Sequence, residues 1–206
     1  MDQFLDNGGR LAEGVKFETP LLGYHQIQNA ATAYAALQVA REAGLPVREE
    51  AIAEGFKTVI WPGRFEVLQR SPLAVIDSAH NRDSALRLRL TLDDYLPGVP
   101  VILLFGASED KDIHGMLEEL LPRVKRMIAT QSIHPRAAEA DSLVAAAHRL
   151  GCPAQAAMPV EDALTLALEL AVKEQAAVVA AGSLFIAAAV RSAWQEKMGQ
   201  PRPLGN

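Results

Sequence analysis

The first third of the chain is dominated by alanine-rich, helix-forming sequence. The run "HQIQNAATAYAALQVAREA", from His25 to Ala43, holds no helix breaker and predicts one long helix. Gly44 and then Pro46 supply the signals that end it. A second predicted helix, "VREEAIAEGFKTV", has acidic residues in its first turn, where the helix dipole favours them. The segment "VKFETPLLG", before both helices, predicts one or two short strands.

Beyond Trp61 the pattern changes to short apolar runs that alternate with helical segments. The residues "WPGR" at this change predict a hinge or linker, because Pro62 and Gly63 interrupt both patterns. Continuous apolar strands separated by helices are typical of a parallel sheet covered on both faces. Right-handed crossovers then give a Rossmann-like, doubly wound, mostly parallel α/β sheet. The predicted strands are "RFEVL", "LAVID", "VPVILLFGA", "RMIAT" and "AAVVAAG", with one or two helices after each strand from the second onward.

Composition and charge narrow the class of protein. The chain has 206 residues, 50% of them hydrophobic, so it can bury a sizeable core. A formal net charge of −5 argues against a nucleic-acid-binding surface. The single cysteine, Cys152, allows no internal disulfide, fits a reducing cytoplasm and is expected to be a small buried side chain. No signal peptide is visible, and no uninterrupted apolar run reaches the roughly 18 residues of a membrane span.

Polar residues cluster where four of the predicted strands end. In a doubly wound sheet, ligands bind at the carboxyl ends of the strands. These junctions are therefore expected to form the wall of one cleft. They are "DSAHN" at 77–81, "GASEDKD" at 106–112, "TQSIHPR" at 130–136 and "GS" at 182–183.

Asp77 and His80, in the first junction, each have two interpretations. A carboxylate at the end of a strand can accept two hydrogen bonds from a ribose diol. Equally, Asp77, Ser78 or Asn81 can cap the helix that follows. His80 either contacts a nucleotide base or is a surface residue of a turn. The spacing alone leaves these alternatives open.

Lys111 and Arg64 are candidate anion-binding residues. Lys111 can hold a substrate carboxylate by charge-assisted hydrogen bonds. The alternative is a solvated loop in which Asp110 or Asp112 caps the next helix. Arg64, in the predicted hinge, can reach a phosphate after domain closure, because a planar guanidinium suits phosphoryl oxygens. Its alternative is an ordinary surface arginine.

Two predicted helix starts carry further candidates. Ser183 follows Gly182 at the start of the last helix, where free backbone amides favour an anion and a simple N-cap is the alternative. His25, Gln26 and Asn29 begin the first long helix. Since His25 and Asn29 are one helical turn apart, both can project from one end of it. The alternative for this group is capping and the satisfaction of core polar groups.

The remaining histidines and motifs indicate no further functional residue. His134 and Arg136 are interpreted as loop residues. His114 and His148 lie within predicted helices without a second ligand at metal spacing, so no metal-binding residue is assigned. No Gly-x-x-x-x-Gly-Lys-Ser/Thr loop occurs, so any ATP chemistry would take its phosphate-binding P-loop from outside this sequence.

Taken together, six segments between Leu21 and Arg191 follow the order and spacing typical of folylpolyglutamate synthases, including the bifunctional dihydrofolate synthases. Each segment is a weak signal alone, but six in order are specific. The chain thus resembles the carboxyl-terminal part of such an enzyme. The segments are "LLGYHQIQNAATAYAAL", "WPGRFEVL", "VIDSAHN", "FGASEDKDIHGML", "HPRA" and "AGSLFIAAAVR".

The resemblance implies an ATP-dependent amide ligase related to the muramyl ligases. Such enzymes use ATP and Mg²⁺ to activate a carboxylate of folate or dihydropteroate as an acyl phosphate, which the amine of L-glutamate attacks. Residues 1–60 would end the central ATP-binding domain, and residues 61–206 would form the carboxyl-terminal domain. The amino-terminal P-loop domain and most Mg²⁺ ligands would lie outside this chain, which is expected to be inactive alone because phosphoryl transfer depends on them.

The same resemblance implies a monomeric cytoplasmic protein of folate biosynthesis and one-carbon metabolism, with no nucleic-acid or membrane partner. Two alternatives remain. One is the carboxyl-terminal domain of a muramyl ligase acting on a UDP-linked peptide. The other is a nucleotide-binding module without catalytic activity.

The resemblance also implies site roles. Arg64 and Lys111 are the implied catalytic residues, and Lys111 and Ser183 would bind the carboxylate of the incoming glutamate. Six residues would bind ATP: Asn29 at the adenine with His25 and Gln26 in support, Arg64 at the phosphates, Asp77 at the ribose, and His80 near the nucleotide.

Two positions depart from the family pattern Asp-Gly-Ala-His-Asn-Pro. Ser78 replaces a glycine, which puts the local backbone in doubt if that position needs a positive φ. Arg82 replaces a proline that would have fixed the first turn of the helix. Neither change removes a group that is implied to contact a ligand.

Overall fold

The computed structural model describes residues 16–199, which divide into two compact units. Within the described residues, the first unit comprises 16–21 and 25–60, and the second comprises 22–24 and 61–199. Among the described residues, no helix combines the length and apolar character needed to cross a membrane.

Both helices predicted in the first part of the chain are confirmed. Helix α1 spans Tyr24–Glu42 and helix α2 spans Glu49–Thr58. Gly44 ends α1 in a left-handed conformation with φ 98°, and its N–H donates to the carbonyl of Arg41 at 2.9 Å. The prediction of one or two strands at 15–23 is wrong for residues 16–23, which form no strand, and Val15 lies outside the described residues.

The first unit has a small core. Phe17 packs its ring against Tyr34 and Phe56, with ring centroids 4.7 and 5.1 Å apart. Of the described residues in this unit, Gln26 and Ile52 are the buried ones. Most of the side-chain surface of α1 is therefore exposed in this chain.

A six-stranded sheet, in the order β1-β2-β6-β3-β4-β5, organises the second unit. Strand β1 pairs antiparallel with β2, and all the other pairings are parallel, so the predicted Rossmann-like, mostly parallel sheet is confirmed. The position of β6, third in this order, was not predicted, because the chain returns from the sheet edge to insert β6 between β2 and β3. The strands are β1 Glu66–Arg70, β2 Leu73–Ile76, β3 Val101–Phe105, β4 Val124–Ala129, β5 Ala154–Ala156 and β6 Ala177–Ala181.

Helices cover both faces of this sheet. One apolar cluster joins one face to α3, α4 and α5, and the other joins the opposite face to α6 and α7. In β3, Leu103 and Phe105 belong to the first cluster while Ile102 and Leu104 belong to the second, because successive side chains of a strand point to opposite faces. The helices are α3 Arg82–Tyr95, α4 Ile113–Leu120 followed by the 3-10 helix Leu121–Arg123, α5 Ala140–Arg149, α6 Val160–Glu174 and α7 Leu184–Lys197.

The chain reversal at β6 positions the candidate site. The helices that follow β2 and β3 lie on one face, whereas α7, which follows β6 between them, lies on the other. At such a switch point the connections diverge and leave a crevice at the carboxyl edge of the sheet. The polar junctions predicted from the sequence lie at this edge.

Candidate functional site

The loops at the carboxyl edge of the sheet are joined to one another by backbone hydrogen bonds. Gly182 donates to the carbonyl of Ala79 at 2.9 Å, which links the loop after β6 to the loop after β2. The loop after β3 joins the loop after β4, where the N–H of Glu109 donates to the carbonyl of Arg136 at 2.9 Å. The junctions carrying Asp77, Lys111 and Ser183 thus lie along one rim.

Two glycines allow the loop after β3 to approach the loops after β4 and β6 closely. A Cβ on Gly182 would lie 2.5 Å from the carbonyl oxygen of Gly106, and Gly182 has φ 110°. A Cβ on Gly106 would lie 2.6 Å from the carbonyl oxygen of Thr130. Since real Cβ atoms do not approach backbone oxygens so closely, both positions require glycine.

Asp77 is buried, and both of its carboxylate oxygens accept backbone hydrogen bonds. The N–H of Phe65 donates to Oδ2 at 2.9 Å, and the N–H of Ala79 donates to Oδ1 at 2.8 Å. Burial raises the pKa of Asp77, and these two hydrogen bonds and the nearby charges of Arg64 and His80 act against that rise. The carboxylate therefore holds two backbone segments together at the end of β2, a use that the sequence had not indicated.

Asn81 caps α3, which decides one alternative left open by the sequence. Its Oδ1 accepts from the N–H of Ser84 at 2.8 Å, and Ser84 Oγ accepts from the N–H of Asn81 at 3.0 Å. This reciprocal pair is a capping box. His80, just before it, lies with Nδ1 2.9 Å from the carbonyl oxygen of Ser78 and is partly buried.

The two departures from the family pattern are accommodated. Among the described residues, Phe65 and Gln175 are the non-glycine residues with positive φ, so Ser78 does not need the freedom of glycine. Arg82 begins α3 and pairs through its guanidinium with Glu118 at 3.2 Å and Glu119 at 3.3 Å.

Arg64 lies in the turn that directly precedes β1. It is partly exposed, and among residues 16–199 its guanidinium donates no hydrogen bond. Its charge lies near enough to Asp77 to lower the pKa of that carboxyl. The donors of Arg64 are thus available to a ligand at this rim.

Lys111 is exposed and pairs with its neighbour in the loop after β3. Its Nζ lies 2.9 Å from Oδ2 of Asp110, and this hydrogen bond is the main reason that the pKa of Asp110 is lowered. Asp112 caps α4 by accepting from the N–H of Gly115 at 2.9 Å, so of the two predicted caps Asp112 is the one used. A ligand carboxylate at Lys111 would compete with Asp110.

Ser183 is the N-cap of α7, because its Oγ accepts from the N–H of Phe185 at 3.0 Å. The Phe185 ring stacks on His134, with centroids 4.2 Å apart and an interplanar angle of 21°. This contact brings the loop after β4 against the start of α7. His134 was predicted only as a loop residue, and Phe185 was not predicted as a site residue, because its position early in a helix did not indicate a contact with another loop.

His25, Gln26 and Asn29 lie in the first turns of α1, in the first unit. Gln26 is buried, and its Oε1 accepts from Nδ2 of Asn29 at 3.1 Å. Gln26 therefore fits the alternative interpretation of this group, in which a buried polar side chain has its hydrogen-bonding groups satisfied within the fold. Asn29 is exposed.

Two residues missed by the sequence analysis, Glu66 and Arg191, form an ion pair beside the turn that carries Arg64. The Nε of Arg191 donates to Oε1 of Glu66 at 2.9 Å. A pocket of about 320 Å³ lies between this turn and α7. It is lined by Pro62, Gly63, Ile76, Ser78, Leu184, Ala187, Ala188, Arg191, Ser192 and Gln195.

The described residues do not offer a site for a metal ion. Across 16–199, no group of three or more His, Cys, Asp or Glu side chains is arranged to hold one. Cys152 is buried, as expected, and burial raises the pKa of its thiol.

Residues 63–184 match the family model described as Mur ligase, glutamate ligase domain. A curated relative from Halobacterium salinarum, named a probable bifunctional folylpolyglutamate synthase/dihydropteroate synthase, is 36% identical over 181 residues, covering 87% of this chain and 21% of its own length. The matched residues include the turn with Arg64 and the junctions with Asp77, Lys111 and Ser183.

Solved structures agree with the sequence relatives. The folylpolyglutamate synthase of Mycobacterium tuberculosis, complexed with ADP and AMPPCP, has a TM-score of 0.78 at 30% identity over 86% of this chain. The bifunctional folylpolyglutamate synthase/dihydrofolate synthase of Yersinia pestis, complexed with AMPPNP and a Mn ion, has a TM-score of 0.72 at 31% identity over 90% of this chain.

The chain spans only part of these proteins. It covers 21% of the Halobacterium relative and 42% of each of the two solved chains. Because the family model matches most of the chain, including its whole sheet edge, the chain belongs to the family of Mur ligase glutamate ligase domains.

Proposed function

We propose that this chain is the carboxyl-terminal part of an ATP-dependent ligase that adds L-glutamate to folate, and that its rim of polar loops forms one wall of the active site. The similarity to the Mycobacterium tuberculosis folylpolyglutamate synthase, 30% identical over 86% of this chain, carries the proposal. Dihydrofolate synthase activity belongs to the same proposal, since the Yersinia pestis relative bears both names.

On the nucleotide side, Arg64 would bind the phosphates of ATP. Arg64 is partly exposed, and the nearby carboxylate of Asp77 already accepts two backbone hydrogen bonds, so charge-assisted bonds from the guanidinium to phosphoryl oxygens are favourable. Asp77 would bind the ribose, and His80 would lie near the nucleotide. In the first unit, Asn29 would meet the adenine, with His25 and Gln26 in support.

On the amino-acid side, Lys111 and the start of α7 would hold the carboxylate of L-glutamate. Lys111 is exposed and already binds a carboxylate, that of Asp110, at 2.9 Å. The first amides of α7 carry partial positive charge, and Ser183 Oγ sits among them. Held in this way, the amine of glutamate would be presented to an acyl phosphate of the folate substrate.

Mg²⁺ would be bound by residues outside this chain. The described residues lack a cluster that fits a metal ion. The contribution of this chain is therefore to orient the phosphates and the incoming amino acid and to exclude water once the domains close.

Helix α1 would dock onto the missing P-loop domain. Ile27, Ala31, Ala35 and Val39 recur every fourth residue along α1, so they form one stripe on the helix, and all four are exposed. Ile27 is 58% and Val39 65% exposed. An apolar stripe of this kind is typical of a helix that packs against another structural layer.

The chain alone should bind substrates weakly and should form no amide. We expect no product when it is incubated with ATP, a folate or dihydropteroate, and L-glutamate, because the phosphate-binding loop is absent. Adding the separately expressed P-loop portion of the same protein should restore product, detected by mass spectrometry. Normal turnover by the chain alone would refute the proposal that it is one wall of a two-part site.

Glutamate binding can be tested residue by residue by NMR titration of the chain with L-glutamate. Amide shifts should concentrate at 108–112 and 183–185. Lys111→Ala should weaken binding about tenfold, the magnitude of one charge-assisted hydrogen bond. Lys173→Ala, at an exposed lysine on α6, is the control and should leave the affinity unchanged. Equal losses in both variants would contradict the assignment of Lys111.

A further inference from the structure

The turn that carries Arg64 is held by hydrogen bonds on both sides of that residue. Before Arg64, the N–H of Gly63 donates to Oε2 of Glu66 at 2.8 Å, and the carbonyl of Gly63 accepts from the N–H of Ser78 at 2.8 Å. After Arg64, the N–H of Phe65 donates to Asp77 at 2.9 Å. The two peptide units flanking Arg64 are therefore held by the backbone of Ser78 and the carboxylate of Asp77, and Glu66 holds the peptide unit before them.

Glu66 is itself fixed by α7. Its Oε1 accepts from Nε of Arg191 at 2.9 Å, while its other oxygen accepts from Gly63. The two side chains are 24% and 29% exposed, so the pair is partly shielded from water. A shielded ion pair with both carboxylate oxygens engaged holds its geometry better than an exposed one.

The backbone of this turn depends on these bonds. Gly63 has φ 73° and Phe65 has φ 44°, which is unusual for a bulky residue. Such conformations persist only where the surroundings enforce them. The pocket of about 320 Å³ lies between the turn and α7, so side-chain packing on that side is incomplete. Around Gly63 the hydrogen bonds therefore provide much of the constraint, whereas Phe65, 6% exposed, is also held by the apolar core.

We propose that Glu66 and Arg191 are positioning residues that set the direction of the Arg64 side chain. Neither needs to touch the nucleotide. The pair connects the Arg64 turn to α7, the helix that begins at Ser183, and so links the phosphate side of the rim to the amino-acid side. The inference rests on the proposed role of Arg64 at the phosphates of ATP.

Hydrogen exchange on the intact chain tests the structural half of this inference without any ligand. In Glu66→Ala, the amide of Gly63 loses its acceptor and should exchange at least tenfold faster. The amide of Phe65 keeps its acceptor, Asp77, but should also exchange several-fold faster, because the whole turn is released. If Phe65 stays as protected as in the unmodified chain, Glu66 acts only locally and the inference is overturned.

Binding of ATP, followed by NMR titration, tests the functional half. Arg64→Ala should weaken binding about tenfold, as expected for loss of a charge-assisted contact. Glu66→Ala and Arg191→Ala should each weaken it about threefold, and Arg191→Lys should recover part of that loss. In the Arg64→Ala background, Glu66→Ala should have no further effect, because its influence is exerted through Arg64.

The control is a variant that breaks an ion pair elsewhere in the second unit. Asp83→Asn breaks another ion pair of the same unit, Arg87–Asp83 at 3.0 Å, and should change neither readout. If Arg64→Ala weakens ATP binding but Glu66→Ala does so equally in both backgrounds, the positioning inference fails and the proposed function stands. If Arg64→Ala has no effect on ATP binding, the proposed phosphate role of Arg64 fails, and with it this inference.

Discussion

Gly182 allows the loops after β3 and β6 to meet, so its replacement by a larger residue should destabilise the fold. In Gly182→Ala, the new Cβ would clash with the carbonyl oxygen of Gly106 at 2.5 Å and would sit on a residue with φ 110°. Overpacking and backbone strain together should lower the free energy of unfolding by about 2–5 kcal/mol. Denaturant unfolding followed by circular dichroism measures the change.

Gly98→Ala is the control, because it introduces the backbone strain of Gly182→Ala without the steric clash. Gly98 also has a positive φ, 73°, but a Cβ there meets nothing within 4 Å. The control should therefore lose only the cost of a left-handed conformation, about 1–2 kcal/mol. Equal losses at both positions would show that the close approach of the two loops does not limit stability.

Residue roles at the rim were only partly predictable. Asn81 and Asp112 act as helix caps because short polar side chains before a helix can reach its free amides, a rule that works from local sequence. The two backbone bonds to Asp77 could not be predicted in this way. One of its donors, Phe65, is 12 residues away along the chain and reaches Asp77 only when β1 pairs with β2.

At the scale of elements, the end of α6 is tied to β4 by an ion-pair group whose strength depends on pH. Glu174 lies 2.8 Å from Nζ of Lys125 and 3.0 Å from the guanidinium of Arg126. The hydrogen bond from Lys125 is the main reason that the pKa of Glu174 is lowered from its ordinary value of 4.5. Since the folded state favours the ionised carboxylate, this group stabilises the fold above pH 4.5.

Glu174→Gln should remove this contribution. Near pH 7 the variant should be less stable than the unmodified chain, and the difference should shrink as pH falls below 4.5 through the lowered pKa, where Glu174 becomes protonated in both states. Thermal unfolding across pH 3 to 7 measures it. Glu169→Gln, at an exposed residue of the same helix, should show no such trend. A difference independent of pH would contradict the ionic explanation.

Prediction of elements worked where patterns were long or strongly apolar. Helices α1 and α6 and strands β3 and β6 were predicted from such runs. Strand β5, Ala154–Ala156, was missed because three small or polar residues carry no periodic signal, and it forms only by pairing with β4. Strands expected near residue 17 failed because an apolar residue such as Phe17 packs on α1 and α2 instead.

At the scale of the whole molecule, the two units should differ in local stability. In the first unit, Gln26 and Ile52 are the buried residues among those described, whereas every residue of β3 and β6 is buried. Regions with few buried contacts open more readily. In hydrogen exchange measured by mass spectrometry, the backbone amides of α1 peptides should therefore exchange at least a hundredfold faster than those of β3 peptides. Equal protection would contradict this expectation.

Local sequence was enough to predict the alternation of strands and helices, the mostly parallel sheet and the four polar junctions, because hydrophobic periodicity and helix-ending residues act over a few positions. It also determined the family, through six short segments in a fixed order. Three features depend on packing between distant parts of the chain: β6 inserts between β2 and β3, Asp77 and Glu66 hold the turn around Arg64, and Phe185 stacks on His134. Each of these joins residues distant in the chain, and contacts of that kind depend on how the layers pack.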